Sequence, residues 1–388
     1  MTDRIPYCVM PYIGISTDST GGYKPCVTFD NVHSFKGNSF EDYINSDWLT
    51  NLKQTHLLEI LPQGCRMCKM REEKNIVSTR QRGLNEFTDK ENLQEINKTN
   101  TFKIAYFTVS NLCNQACIMC TPKLSSKIYN EINPSHMEHY VQAHDNINSM
   151  WKNVNLSKPY TNNNIKKIID RLDENAIVHI SGGEPMVNKQ VIFMLEYLLE
   201  KDLNKTINLQ LVSNFQSYNT KIINLLSNFK GIALASVDAI GEKLSYIRYE
   251  SNWENIKNNL FLFKKNCDNF KLMIKPTVSI LNILYLDELF DWAEQNNFEV
   301  RANNRIVNPD FLSINILPKK YIPDIIEKYS KYKMPIIDIE ELKYHLSLNN
   351  NDDSLTKKFF MEIAKNDSNR KLKLEKVLPE LKKMLENG

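Results

Sequence analysis

From Phe102 onward, short apolar runs alternate with longer amphipathic stretches, the pattern of successive β/α units with parallel strands. Strands are expected at 103–110, 176–181, 207–213, 231–238, 271–279 and 298–307, with helices between them at 189–200, 252–265 and 286–295 among others. Six strands in this rhythm fit a partial barrel. Residues 1–85 read differently: they are rich in turns and cysteine, too irregular to build a large core, and so are expected to be held together by metal. Residues 86–101 are polar and charged and read as a linker to the barrel at 102–317. The remainder, 318–388, reads as helical; Leu378, Leu381 and Leu385 share one face beside Pro379, the spacing of a helix packed on its domain. A polar stretch at 134–164, carrying Met150 and Trp151, interrupts the rhythm and reads as a surface insertion ahead of a lid over substrate.

A chain of 388 residues exceeds what one core usually supports, and 42% hydrophobic residues suffice for more than one. The net charge of +3 and pI of about 8.2 are mild, so nucleic-acid binding is not indicated. No basic segment with an apolar signal core follows Met1, and no apolar run of about 18 residues occurs, so a soluble, cytoplasmic protein with no membrane partner is expected. In that setting eight cysteines read as metal ligands or catalytic thiols sooner than as a disulfide framework.

Three of them fall in one loop after the first barrel strand: Cys113, Cys117 and Cys120, spaced C-x3-C-x2-C. Thiolates select soft or borderline metals, and structural zinc or ferredoxin-type centres close their coordination with four protein ligands. Here the loop supplies three, with no histidine among them. On a four-iron cubane, three thiolates leave one iron open to a small molecule, as a catalytic centre requires. Structural cysteines at this spacing are the competing reading. Further along, Gly182-Gly183-Glu184-Pro185 ends the second expected strand in a chain with only 11 glycines. At the carboxyl end of a barrel strand such glycines let a backbone approach a ligand, although a Gly-Gly pair alone is as readily a tight turn.

With the loop C-x3-C-x-Φ-C, in which Met119 is Φ, and the GGEP turn, the chain resembles the radical SAM superfamily. The resemblance implies an α/β fold with a partial (β/α)6 radical SAM barrel and a 4Fe-4S cluster bound by Cys113, Cys117 and Cys120. Its open iron would bind the amino and carboxylate groups of S-adenosyl-L-methionine (SAM). Reductive cleavage of SAM to a 5′-deoxyadenosyl radical, hydrogen abstraction from substrate and an electron donor such as flavodoxin or ferredoxin follow from the same likeness. Gly182, Gly183, Glu184 and Pro185 are implied to meet the amino group, and Ser213 with Asn214 the ribose. Ser236, Asp238 and Arg248 resemble the segment that positions the carboxylate, a task suited to a planar guanidinium. Taken singly, such polar residues are more often caps or turn formers. Cys267, after the helix at 252–265, lies at the barrel's opposite end and reads as structural, and His179 reads as a packed or hydrogen-bonded histidine.

Cys65 and Cys68 form a C-x2-C pair in a turn containing Gly64, and with Cys8 and Cys26 they make a closed set of four thiolates. Zinc and a complete iron-sulfur cluster satisfy that count equally. The segment resembles the twitch or SPASM type of auxiliary-cluster domain: Cys8 and Pro11, Pro25 and Cys26, Trp48 on a helix, then Cys65 and Cys68 followed by Glu72 or Glu73 and by Ser78-Thr79-Arg80. That likeness implies an auxiliary 4Fe-4S cluster. In most such proteins the module follows the barrel; here it precedes it. The expected function is a radical SAM enzyme whose auxiliary cluster assists oxidation or crosslinking of a peptide or protein. A small-molecule dehydrogenase is the second reading, and a non-catalytic metal-binding module or electron carrier the third.

Overall fold

A computed structural model describes residues 7–19, 21–30, 33–37, 39–73, 77–87, 101–131, 161–306, 309–332, 336–347 and 353–387. Most of the polar stretch at 134–164 and of the linker lies outside the described residues. The chain divides into two compact units, one of 1–112, 153–211 and 220–231, the other of 113–152, 212–219 and 232–388. This division cuts through the β/α region.

In the first unit lie β1 (Gly14–Thr17), β2 (Tyr23–Lys24), β3 (Phe102–Thr108), β5 (Leu172–Ser181) and the start of β6 (Asn208–Ser213), while β4 (Ala116–Cys117) belongs to the second. β3 pairs parallel with β5, and β5 parallel with β6. The register aligns Ala105 with Val178 and Leu209, and Phe107 with Ile180 and Leu211. Because side chains alternate along a strand, these residues share one face, and all are fully buried. The other face carries Ile104, Tyr106, Ile177, His179 and Gln210, more exposed and more polar. The helix Lys189–Glu200 forms where expected: Asn188 caps it by accepting the Gln190 N–H, and Val191, Met194, Leu195 and Leu198 bury one stripe.

The cysteine-bearing segment contributes strands to this sheet. β1 pairs parallel with β3, with Ser16 opposite Tyr106, and β2 adds antiparallel to β1. An edge that β3 would otherwise leave unpaired is thereby covered. This pairing explains why the first unit takes in both the N-terminal residues and the first barrel strand.

The second unit holds the end of β6, most of β7 (Gly231–Ala235), then β8 (Arg248–Tyr249), β9 (Phe270–Ile274), β10 (Thr277–Val278), β11 (Glu299–Val300) and β12 (Asn304–Arg305). β9 pairs parallel with β11, β10 parallel with β12, and β4 antiparallel with β8. The α/β class with parallel strands is the one expected, but three strands are shorter. The run at 271–279 breaks at Pro276, which has no N–H to give to a ladder. The run at 231–238 stops at Ala235, because the Ser236 N–H turns to the Ser213 carbonyl and Asp238 turns into an ion pair. The run at 298–307 forms only the two-residue pieces β11 and β12. At the C-terminus, Pro379 opens the helix Pro379–Glu386, and Leu378, Leu381 and Leu385 are buried as their spacing predicts. No helix among the described residues is long and apolar enough to cross a membrane.

Candidate functional site

The three-cysteine loop is tied down along its whole length within the second unit. Ala116 and Cys117 pair with Tyr249 and Arg248, the Ile118 N–H donates to the Ile247 carbonyl (3.0 Å), and the Cys120 N–H donates to the Cys117 carbonyl (3.0 Å). At its start the Cys113 N–H donates to Ser126 Oγ (3.1 Å), and Ser125 Oγ donates to the Gln115 carbonyl (2.8 Å). Asn114 donates to Ser217 Oγ (2.9 Å) and accepts from Asn214 Nδ2 (2.8 Å). Cys117 is buried, whereas Cys113, Met119 and Cys120 are half-buried. All eight cysteines are unbridged. Burial pushes the Cys117 and Cys120 thiols up, and for Cys120 the charges of Cys117 and Cys113 push the same way. Three crowded thiolates of this kind need cationic metal to offset their repulsion, so the donor set suits an iron-sulfur cluster.

Two residues expected to hold a carboxylate are paired with each other. Arg248 Nε donates to Asp238 Oδ2 (2.7 Å), and Asp238 Oδ1 accepts the Thr277 N–H (2.7 Å). The same guanidinium reaches the cluster loop, with Nη1 3.7 Å from Cys117 Sγ, and its charge pulls that thiol down against the effect of burial. Ser213, Asn214 and Ser236 are brought together too, in local bonds. Ser213 Oγ accepts the Phe215 N–H (3.0 Å), Asn214 Oδ1 accepts the Gln216 N–H (2.9 Å), and the Ser236 N–H meets the Ser213 carbonyl (2.8 Å).

In the first unit, the GGEP turn grips the backbone that leads into the loop. Gly182 and Gly183 adopt φ of +87° and +55°, conformations that a side chain disfavours. A Cβ on Gly182 would lie 2.4 Å from Thr108 Cγ2, and one on Gly183 would lie 2.2 Å from the Leu112 carbonyl oxygen. The Glu184 N–H donates to that carbonyl (2.7 Å), and Leu112 is bonded to Cys113. Glu184 and Pro185 are buried, with Glu184 Oε1 accepting the Met186 N–H (2.9 Å). Both glycines are therefore required for contact with β3 and its exit.

The four N-terminal cysteines all lie in the first unit. Cys8, Cys26 and Cys68 are buried and Cys65 half-buried. Cys8 and Cys26 share a core with Met10, Phe29, Leu52 and Ile104, on which Trp48, Cys65, Tyr106 and Ile177 pack. The module thus lies on the more polar face of β3 and β5. Thr28 Oγ1 stands 3.4 Å from Cys26 Sγ and 3.8 Å from Cys68 Sγ, and Cys65 Sγ is 3.6 Å from His56 Nε2. Burial raises the Cys8, Cys26 and Cys65 thiols, and neighbouring cysteines add to it. Glu72, not Glu73, meets the downstream serine and arginine: it accepts from Ser78 Oγ and from Arg80 Nε and Nη2, while Arg80 Nη1 donates to the Tyr7 carbonyl (3.4 Å). Among the described residues no three His, Cys, Asp or Glu side chains converge on a point suited to one metal ion; a cubane asks instead for one thiolate at each iron.

Cys267 is buried at the end of the helix Trp253–Asn266, and His179 Nδ1 bonds Gln210 Oε1 (3.3 Å) beside the Tyr106 ring, as expected of structural residues. Gln115, Asn114, Thr28 and His56 were not singled out by pattern. The first two sit inside the C-x3-C spacing, which was the available signal, whereas Thr28 and His56 have none in the sequence.

Residues 102–238 match the family model described as a 4Fe-4S single cluster domain. That span contains the three-cysteine loop and the GGEP turn. Among curated proteins, the flagellar motor switch protein FliG of Buchnera aphidicola is 28% identical over 236 residues, covering 55% of this chain and 66% of that protein. Among solved structures, anSMEcpe with bound AdoMet and a Cp18Cys peptide matches at 13% identity and a TM-score of 0.40, over 59% of each chain. Streptococcus suis SuiB bound to its precursor peptide SuiA matches at 15% identity and a TM-score of 0.37, over 81% of this chain and 64% of that one. The chain therefore spans about three-fifths to two-thirds of the length of these proteins. The segment 102–238 thus matches a 4Fe-4S single cluster domain and carries both the three-cysteine loop and the GGEP turn.

Proposed function

We propose that this protein is a radical SAM enzyme that modifies a peptide or protein, with a second iron-sulfur cluster in its N-terminal module. One observation carries the reading: three thiols, with no fourth cysteine and no histidine between Cys113 and Cys120, sit on a loop clamped by β4 and β8 inside a 4Fe-4S single cluster domain. When bound, the cluster and SAM together supply reductive formation of a 5′-deoxyadenosyl radical able to take hydrogen from an unactivated carbon.

The chain's own residues hold and shield those groups. Cys113, Cys117 and Cys120 hold the cluster. The backbone of Gly182 to Pro185 would meet the amino group of SAM, Ser213 and Asn214 its ribose, and Ser236, Asp238 and Arg248 its carboxylate, with Asp238 holding the Arg248 guanidinium through Nε. Burial of Cys117 would shield that corner of the cluster from water. Cys8, Cys26, Cys65 and Cys68 hold the auxiliary cluster, with Glu72 and Arg80 fixing the segment after Cys68. A peptide substrate rests on the likeness of this module to auxiliary-cluster domains, and oxidation or crosslinking suits a site with a second electron acceptor. An electron carrier such as flavodoxin or ferredoxin would serve as the donor. Small-molecule dehydrogenation is the second reading.

Anaerobic reconstitution with iron and sulfide tests this directly: two cubanes correspond to about seven to eight irons per chain. Reduced protein should then cleave SAM and carry deuterium from a labelled peptide into 5′-deoxyadenosine. Zinc in the N-terminal module together with intact SAM would overturn the proposal, and peptides left untouched beside a turned-over metabolite would favour the second reading.

A further inference from the structure

We infer that Gln115 and Arg248 form a two-donor hydrogen-bond clamp on the sulfur of Cys117, making it the cluster corner that accommodates negative charge on reduction. This rests on reading the three-cysteine loop as a cluster site. Gln115 is fully buried, and its Oε1 lies 3.7 Å from Cys117 Sγ, placed to accept from the thiol. Its Nε2 is buried with no hydrogen-bond partner. An amide with one end wasted in this way is costly, and native proteins rarely keep one without a use.

Ligation supplies that use. A cysteine bound to iron has lost its proton and can no longer donate to Oε1. A half-turn of the amide plane exchanges Oε1 and Nε2 within the same volume, so that the orphaned N–H group points at the thiolate. The second donor is already in place: Arg248 Nη1 stands 3.7 Å from the same sulfur. Asp238 holds the guanidinium through Nε, and is itself fixed by the Thr277 N–H at Oδ1 and by Asn282 Nδ2 at its carbonyl. Since Arg248 and Asp238 offset each other's charge, the arginine acts on the sulfur chiefly through a directed N–H bond. Cys120 differs, because its recorded contact is the Thr121 carbonyl (3.8 Å), which only accepts. Hydrogen bonds to cluster sulfurs stabilise the more negative, reduced state and raise the potential.

The test is an EPR-monitored redox titration of the full chain, reconstituted anaerobically and without SAM, with iron and sulfide assayed in each sample. Gln115→Met removes the donor while conserving bulk and leaving the ion pair intact; Arg248→Lys keeps the charge but not the fork. Each is expected to lower the reduced-to-oxidised ratio at a fixed potential about tenfold, equal to about 59 mV for one electron, with iron content unchanged. A Gln115→Met protein with full iron and the parent's potential would overturn the clamp, whatever becomes of Arg248→Lys. If the parent itself takes up no cluster at this loop, the cluster reading fails first and the clamp falls with it; a cluster with parental potential in every variant refutes the clamp alone.

Discussion

Gly183 and Gly241 form a matched pair of perturbations. Both adopt left-handed backbone, at φ of +55° and +57°, yet a Cβ on Gly241 would meet nothing within 4 Å. Alanine at either position incurs the left-handed penalty of about 1–2 kcal/mol. At Gly183 the new Cβ also meets the Leu112 oxygen at 2.2 Å, the Leu112 carbonyl carbon at 2.8 Å and the Asn111 carbonyl carbon at 2.9 Å, all backbone atoms that cannot swing aside. Overpacking of that kind adds about 1–3 kcal/mol. Gly241→Ala should therefore lower the melting temperature by a few degrees, and Gly183→Ala by about twice that or more, at roughly 2–4 °C per kcal/mol. Because Leu112 leads into Cys113, only Gly183→Ala should also reduce iron retention and SAM cleavage. Calorimetric melting and iron assay of both proteins decide the matter. Equal melting shifts with equal iron would show that the turn does not press on the loop and that the argument from close contact is wrong.

Glu72→Gln leaves the buried Arg80, which is 5% exposed, without its countercharge, and should cost about 3–5 kcal/mol in urea denaturation while Glu73→Gln costs under about 0.5 kcal/mol. The same Glu72 variant should lose about four irons per chain and keep the EPR signal of the other cluster; unchanged iron would separate the ion pair from the module's metal. Burial, with help from the Asp268 charge, pushes the Cys267 thiol up to about 12 from the ordinary 9.0 of a cysteine. The folded chain holds this proton longer than the unfolded one, so its contribution is complete below pH 9 and is lost as pH rises towards about 12. Cys267→Ala should flatten that alkaline decline, and iodoacetamide at pH 8 should leave Cys267 unlabelled until the protein is unfolded.

The helix 189–200 was legible because capping by Asn188 and the stripe through Val191, Met194, Leu195 and Leu198 are both local properties. Strand ends were not: β7 stops where Ser236 finds the Ser213 carbonyl, a partner remote in sequence. The candidate site divides the same way. Cys113, Cys117 and Cys120 announce themselves by spacing, and the GGEP turn by scarcity of glycine. The choice of Glu72 over Glu73 depended on which carboxylate faces Arg80 once the surrounding segments pack.

By itself the sequence determined the spacing of the cysteines and the parallel α/β class, since these follow from covalent order and hydrophobic period. Tertiary structure alone decided that β1 completes the edge of β3, that the four-cysteine module lies on the polar face of that sheet, and that Arg248 Nη1 stands 3.7 Å from Cys117 Sγ across 131 residues of chain. Such pairings are settled by which buried donors and acceptors satisfy one another in space, and chain order does not encode that directly.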